Sequence, residues 1–211
     1  MRRMKNNYHK IMMDEISKIV NTGALPNLLL HSCCAPCSSY VLQFLSKYFN
    51  IEAFFFNPNI YPKQEYLKRL EEQIRLIKEM ELPYKVIGTE YESSLFYEAV
   101  KGYENMGEGS ERCDHCFELR LDKAAQYAKE NGFDYFTTTL TISPLKNAER
   151  INKIGMEIGN KYNIKFLNSD FKKNDGYKCS VDLSKKYELY RQPYCGCIFS
   201  QQEYIKKMSE K

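Results

Sequence analysis

Leu28-Leu29-Leu30-His31-Ser32-Cys33-Cys34-Ala35-Pro36-Cys37 is a short apolar run that passes without a break into a knot of cysteines. An apolar run of this length ending at a polar loop reads as a buried strand. Ile51 to Phe56 repeats the pattern and ends at Asn57-Pro58-Asn59. Tyr84 to Ile87, Tyr135 to Leu140 and Ile164 to Leu167 supply three more strands. Between them lie helical stretches: 10–21 closed by Gly23, Tyr40 to Phe49, the segment from Pro62 to about Met80, 93–101, roughly 114–130, Ala148 to Tyr162 and 180–191. Strands alternating with helices argue for an open parallel α/β sheet with helices on both faces. No repeat or linker divides residues 1–211, so a single domain is expected, with a C-terminal segment, 178–211, folding over the sheet edge.

In such sheets ligands bind outside the carboxyl ends of the strands. The cysteine knot follows the first strand, Asn57-Pro58-Asn59 the second, Thr137-Thr138-Thr139 closes the fourth, and Asp170 follows the fifth. These loops should converge on one site.

Seven of the eight cysteines fall in three knots, the other two being Arg112-Cys113-Asp114-His115-Cys116 and Tyr194-Cys195-Gly196-Cys197. At 211 residues and 43% hydrophobic content the chain can bury a full core, so it has no need of a disulfide framework. Met1-Arg2-Arg3-Met4-Lys5 is followed by no apolar h-region, so no signal peptide is expected, and no apolar run approaches the roughly 20 residues of a membrane span. A cytoplasmic location follows as an expectation. In that compartment clustered cysteines serve as metal ligands or redox groups. The net charge of +4 and the 17 tyrosines are compatible with a nucleic-acid partner, though tyrosines serve equally as packing.

Cys33 with Cys34, and Cys113 with Cys116, offer four thiolates, the complement of a 4Fe–4S cluster or of a structural zinc. Cys37, at the start of the next helix, reads either as a ligand to an additional iron or other metal ion or as a packed thiol. Asp114 and His115 lie between two candidate ligands and read as metal ligands or proton donors, or as a helix cap and a surface group. Cys195-Gly196-Cys197 closes a small strained ring when oxidised, as suits an electron relay, although Cys-x-Cys also occurs in metal sites. Cys179 stands apart and reads as a packing thiol. Gly107-x-Gly109 lacks the third glycine of a dinucleotide fingerprint, and no P-loop appears, so electrons must come from an external donor.

The ordered set of motifs resembles the cobalamin-independent epoxyqueuosine reductase QueH family. It comprises His31 to Cys37, Asn57-Pro58-Asn59-Ile60 with Pro62 and Glu65-Tyr66, and Arg112 to Cys116 with Arg120-Leu121. Thr137 to Leu140 with Ser143-Pro144 and Lys146-Asn147, Asp170 to Lys173, and Tyr190 to Cys197 complete it. The resemblance runs from about residue 27 to 200. It implies reduction of epoxyqueuosine at the tRNA wobble position to queuosine, the last step of queuosine biosynthesis. It also implies a 4Fe–4S cluster held by Cys33, Cys34, Cys113 and Cys116, and a redox-active pair at Cys195 and Cys197. The implied fold is that of the adenine nucleotide alpha-hydrolase-like (HUP) group. Ser32-Cys33-Cys34-Ala35-Pro36-Cys37-Ser38 stands where that group carries its S-G-G-x-D-S-S pyrophosphate loop, and cysteines in place of both glycines argue against ATP use. Asp114 is the first candidate for proton donor, with His115 and Tyr61 behind it. Lys172-Lys173, Lys185-Lys186 and Arg191 are candidate phosphate contacts on tRNA. A zinc-stabilised RNA-binding protein and an iron–sulfur tRNA-thiolating enzyme are the rival classes.

Overall fold

The computed structural model describes residues 6–210; the N-terminal stretch read for a signal peptide, residues 1–5, lies outside them, as does Lys211. The leucine run forms β1 (Asn27–His31), the middle of a five-stranded sheet. β2 (Asn50–Phe55) and β4 (Tyr135–Thr138) flank it in parallel, with Leu30 opposite Ala53 on one side and Thr137 on the other. β3 (Val86–Gly88) and β5 (Lys165–Phe166) form the edges, giving the order β3-β2-β1-β4-β5. All four pairings are parallel, as the alternation of strands and helices requires.

The period-2 geometry of β1 divides the core. Leu28 and Leu30 pack with Met12 and Ile16 of α1 (Tyr8–Thr22) and with Val41, Leu42 and Leu45 of α2 (Ala35–Leu45). Leu29 points the other way, toward Phe117, Leu121, Ala124 and Ala125 of α5 (Glu111–Glu130) and Ile151 and Ile158 of α6 (Ala148–Tyr162). Each of these leucines is fully buried, which is worth about 1.5–3 kcal/mol per side chain. Helices therefore cover both faces.

α3 (Lys63–Glu79) and α4 (Ser93–Ala99) follow β2 and β3, and α7 (Gly176–Lys186) follows β5. α2 starts five residues before the helix expected from Tyr40, because Ala35-Pro36 sets its first turn directly after Cys34. β4 ends at Thr138, earlier than expected; its next four residues, Thr139–Ile142, wind into a 3-10 turn capped by the Thr138 hydroxyl. The tail also departs from expectation. It forms an additional helix, α8 (Ile198–Ser209), whose Phe199 packs with Phe96 of α4 and Cys116 of α5 rather than on a sheet edge. The strap before it, residues 187–197, crosses α3: Leu189 packs on Ala35 and Leu76, and the Tyr190 amide donates to Glu72.

Candidate active site

β1 and β4 are neighbours from which the chain winds off in opposite directions, and this switch point is where open α/β sheets take their ligands. Cys33 and Cys34 sit there. Cys34 is the N-cap residue of α2 in extended backbone, and Cys37 lies in the helix's first turn. The three sulfurs lie within 4.8 Å of one another, with 3.8 Å between Cys33 and Cys34. Thr139 secures the loop from the far side of the switch point: its hydroxyl accepts from the Cys33 amide at 3.2 Å and donates to the Cys33 sulfur at 3.4 Å. Hydrogen bonds from the Cys34 and Cys37 thiols, helped by the charges of Arg120 and Lys146, hold the Cys33 pKa well below the ordinary thiol value. The same sharing pushes Cys34 up to about 11.

Cys113 and Cys116 occupy the opening turns of α5 on one face, as i and i+3 residues do. They are not part of the tight triad. They line an adjoining cavity of about 170 Å³ together with Cys195 and Cys197. The triad lines a larger cavity of about 290 Å³, and Asn59, Glu108, Leu145, Lys146 and Cys195 belong to the walls of both. Burial pushes Cys116 up to about 12 and raises Cys113 as well.

The third knot is delivered by the strap. Arg69 of α3 donates to the Cys195 carbonyl at 3.0 Å, and the Tyr61 amide donates to the Gly196 carbonyl at 2.9 Å. Gly196 has φ +125°, and a Cβ there would stand 2.6 Å from the Arg69 Nη1, so both backbone and space demand glycine. Cys197 is the N-cap residue of α8, and its sulfur accepts from the Ser200 amide at 3.4 Å.

Buried cations surround these thiols. Arg120 is 1% exposed and lines the larger cavity, donating to Asn57 Oδ1 at 2.6 Å. Burial opposes the charge on Lys146, but the thiols of Cys195, Cys33 and Cys37 and the Glu108 carboxylate raise its pKa. A thiol-rich pair of cavities walled by fixed positive charge suits an anionic, thiolate-bound centre, and the donor set fits an iron–sulfur cluster. His31, beneath the loop, is fully buried. Its Nδ1 lies 2.8 Å from the Thr138 hydroxyl and its Nε2 3.2 Å from the Phe56 carbonyl. Burial and the Arg120 charge pull its pKa down to about 3, so it is a neutral strut.

Asp114 departs from its expected role. A helix turns about 100° per residue, which carries Asp114 off the face that Cys113 and Cys116 share. Its carboxylate is engaged by the Arg150 guanidinium and lines a hollow with His115 and Glu118; it is in the wall of neither thiol cavity, although Arg150 stands in the wall of the smaller one. The His115 ring packs on Tyr103 at 4.4 Å. Tyr61 reaches the site through its backbone amide. Cys179 lies on α7 and lines neither cavity. Lys172 is paired with Asp170 at 2.7 Å, whereas Arg191 stands on the rim of the larger cavity with Tyr177 and Tyr194. Sequence reasoning passed over Arg69, Thr139 and Asn59 as individual residues. Only the loop to which Asn59 belongs, and the threonine run ending at Thr139, gave a signal.

An open parallel sheet with a cysteine-filled loop at its switch point defines a class of α/β protein in which thiols stand where a phosphate loop would. The U34-tRNA thiolase NcsA from Methanococcus maripaludis, solved with its [4Fe-4S] cluster, shares this architecture with a TM-score of 0.51. The match covers 95% of this chain and 72% of that one at 12% identity, a likeness of fold. The sequence profile of "Epoxyqueuosine reductase QueH" matches residues 28–203. "Epoxyqueuosine reductase QueH" of Staphylococcus epidermidis is 45% identical over 95% of this chain and 87% of its own length. That of Thermotoga maritima is 42% identical over 87% and 94%. The chain belongs to the epoxyqueuosine reductase QueH family.

Proposed function

We propose that this chain reduces the epoxide of epoxyqueuosine, carried at the wobble position of a tRNA, to the alkene of queuosine. The observation that carries the reading is the gathering of all seven knot cysteines around two cavities with a common wall, in a chain of this family. Cys33, Cys34, Cys113 and Cys116 are the residues for a 4Fe–4S cluster. Their division between two neighbouring cavities suits a cluster, which spaces its ligands more widely than a single ion does. When bound, the cluster supplies single-electron transfer and an iron that acts as a Lewis acid.

Removing an epoxide oxygen as water takes two electrons and two protons. Cys195 and Cys197 together hold both: closing two thiols to a disulfide releases two electrons and two protons, leaving alkene, water and disulfide. An external donor then reopens the pair. That Cys195 belongs to the wall of both cavities supports its role as the sulfur that meets substrate and ligands alike. Lys146, in the same wall, holds a proton beside the reacting oxygen. The modified base is drawn from its stack into the larger cavity, with Arg191 on phosphate and Tyr177 or Tyr194 against a base. No helix among the described residues is long and apolar enough to cross a membrane, and a tRNA-modifying role fits a cytoplasmic protein.

The test is an anaerobic assay on epoxyqueuosine-containing tRNA with a chemical reductant, read by mass spectrometry of the nucleosides. Conversion to queuosine without ATP is expected, from brown protein with about four irons and four sulfides. ATP-dependent sulfur incorporation, or colourless protein holding stoichiometric zinc, would overturn the reading.

A further inference from the structure

Among the described residues, three arginines are buried almost completely. Arg69 pairs with Glu65 at 2.7 Å, and Arg112 with Glu203 at 3.1 Å. Arg120, the largest fully buried side chain, has no carboxylate within salt-bridge distance among the described residues. Its Nη2 donates to the neutral Asn57 side chain, and its Nε is buried without any partner. A guanidinium does not shed its proton, so it cannot escape burial by neutralising itself. An isolated buried charge is costly enough that buried ions are paired or face a metal site. His31, the neighbouring titratable group on β1, is held neutral and offers no counter-charge.

What Arg120 does face are thiols. It lines the larger cavity with Cys33, Cys34 and Cys37. On α5 it lies one turn beyond Cys116, on the same helix face. Its charge acts on a member of each ligand pair, Cys33 and Cys116. We propose that Arg120 is a positioning residue whose buried guanidinium is the fixed counter-charge of the iron–sulfur centre and raises its reduction potential. This rests on the cluster reading above. Reduction adds negative charge to a centre already anionic through its thiolates. A permanent cation in a dry wall stabilises the reduced form more than the oxidised one, and net charge and hydrogen bonding are the known levers on such potentials. Asn57 belongs to the same device: its Oδ1 holds the guanidinium while its Nδ2 donates to the Ser32 carbonyl at 2.9 Å, tying the β2 loop to the cysteine loop.

The test is the midpoint potential of the cluster-loaded protein, followed optically under anaerobic titration. Arg120→Gln is expected to lower it, so that at a fixed solution poise the ratio of reduced to oxidised centre falls on the order of tenfold, as expected for losing one nearby charge in a partly buried site. Arg120→Lys keeps the charge and should recover most of the shift. If Arg120→Gln does not fold, Asn57→Asp sets a carboxylate against the same guanidinium and should lower the potential too. An unchanged potential in Arg120→Gln, or in Asn57→Asp where that variant stands in for it, overturns the proposal and leaves the cluster reading intact. Wild-type protein that binds no iron–sulfur cluster at all removes the cluster reading, and the inference falls with it.

Discussion

Cys33 and Cys34 leave the end of β1 and enter α2, so a sheet and a helix fix their backbone on both sides. Cys195 and Cys197 ride instead on a strap held by contacts that reach far along the chain, such as Arg69 to the Cys195 carbonyl across 126 residues. The first arrangement is local and rigid, as a metal site needs if several ligands are to hold one geometry. The second is tertiary and adjustable. A dithiol that opens and closes each turnover changes the distance between its sulfurs, and a strap can absorb that movement where a strand end cannot. Cys113 and Cys116 belong with the rigid group, because α5 packs directly on β1 and β4 through Leu121 and Ala124.

The comparison breaks most severely if the rigid group is not the metal site. Cys113→Ala should lose the cluster, bleach the protein and abolish turnover, as judged by iron and sulfide analysis beside the tRNA assay. Full iron content in that variant would sink the ligand assignment. Next in size, Cys195→Ser and Cys197→Ser should each keep iron content and visible spectrum while multiple turnover falls to background, since the local two-electron store is gone. Oxidised wild type should show the pair protected from alkylation until reductant is added. If Cys195→Ser loses its cluster as readily as Cys113→Ala, strap and loop form one ligand set and the contrast disappears.

The rigid half was legible in the sequence and the strap was not, for a physical reason. β1, β2 and α6 announce themselves through apolar runs and periodicity, signals that lie within each element. The first knot follows β1 in sequence, so its place at the sheet's carboxyl end comes with the strand. The start of α2 lies five residues ahead of the helix legible from Tyr40, because Ala35 is followed by proline, cysteine and two serines, none of them a strong helix former. α8 shows in the sequence only as a tail, and the helix expected over 180–191 ends at Lys186, its last residues belonging to the strap, since these positions depend on Arg69, Tyr190 and Phe199 finding distant partners. Arg120 appeared only as a motif residue, and its isolation from any carboxylate is a property of the packed interior. Asp114 shows a related limit: adjacency to two cysteines in sequence does not put its carboxylate in the wall of a thiol cavity, because the helix turns it toward Arg150.

Gly196→Ala probes the strap with a smaller perturbation. The new methyl meets the Arg69 guanidinium at 2.6 Å on a backbone with φ +125°, a region that L side chains rarely adopt. Strain of this kind costs about 1–3 kcal/mol. Two distinct consequences are expected: a lower midpoint in denaturant melts, and slower turnover from a displaced dithiol with the iron content unchanged. Loss of iron in Gly196→Ala would mean that the strap supports the metal site and is not merely docked beside it.

Thr139→Val is the gentlest cut, and it falls on the rigid side. The substitution keeps shape and burial but removes the hydroxyl that accepts from the Cys33 amide and donates to its sulfur. The amide is left without that partner, and an unsatisfied buried donor costs about 1–3 kcal/mol. Because β1 and α2 fix the backbone of this loop regardless, the cost should appear as stability rather than as a rearranged site. The cluster should load normally and bleach faster in air, because the sulfur has lost a donor that steadies its charge. Turnover should change far less than in Cys195→Ser. The measurement is the decay of cluster absorbance on exposure to oxygen, set beside the denaturant midpoint. If Thr139→Val empties the site as Cys113→Ala does, the rigidity attributed to the strand and helix belongs to this one hydroxyl, and the contrast between loop and strap must be redrawn around it.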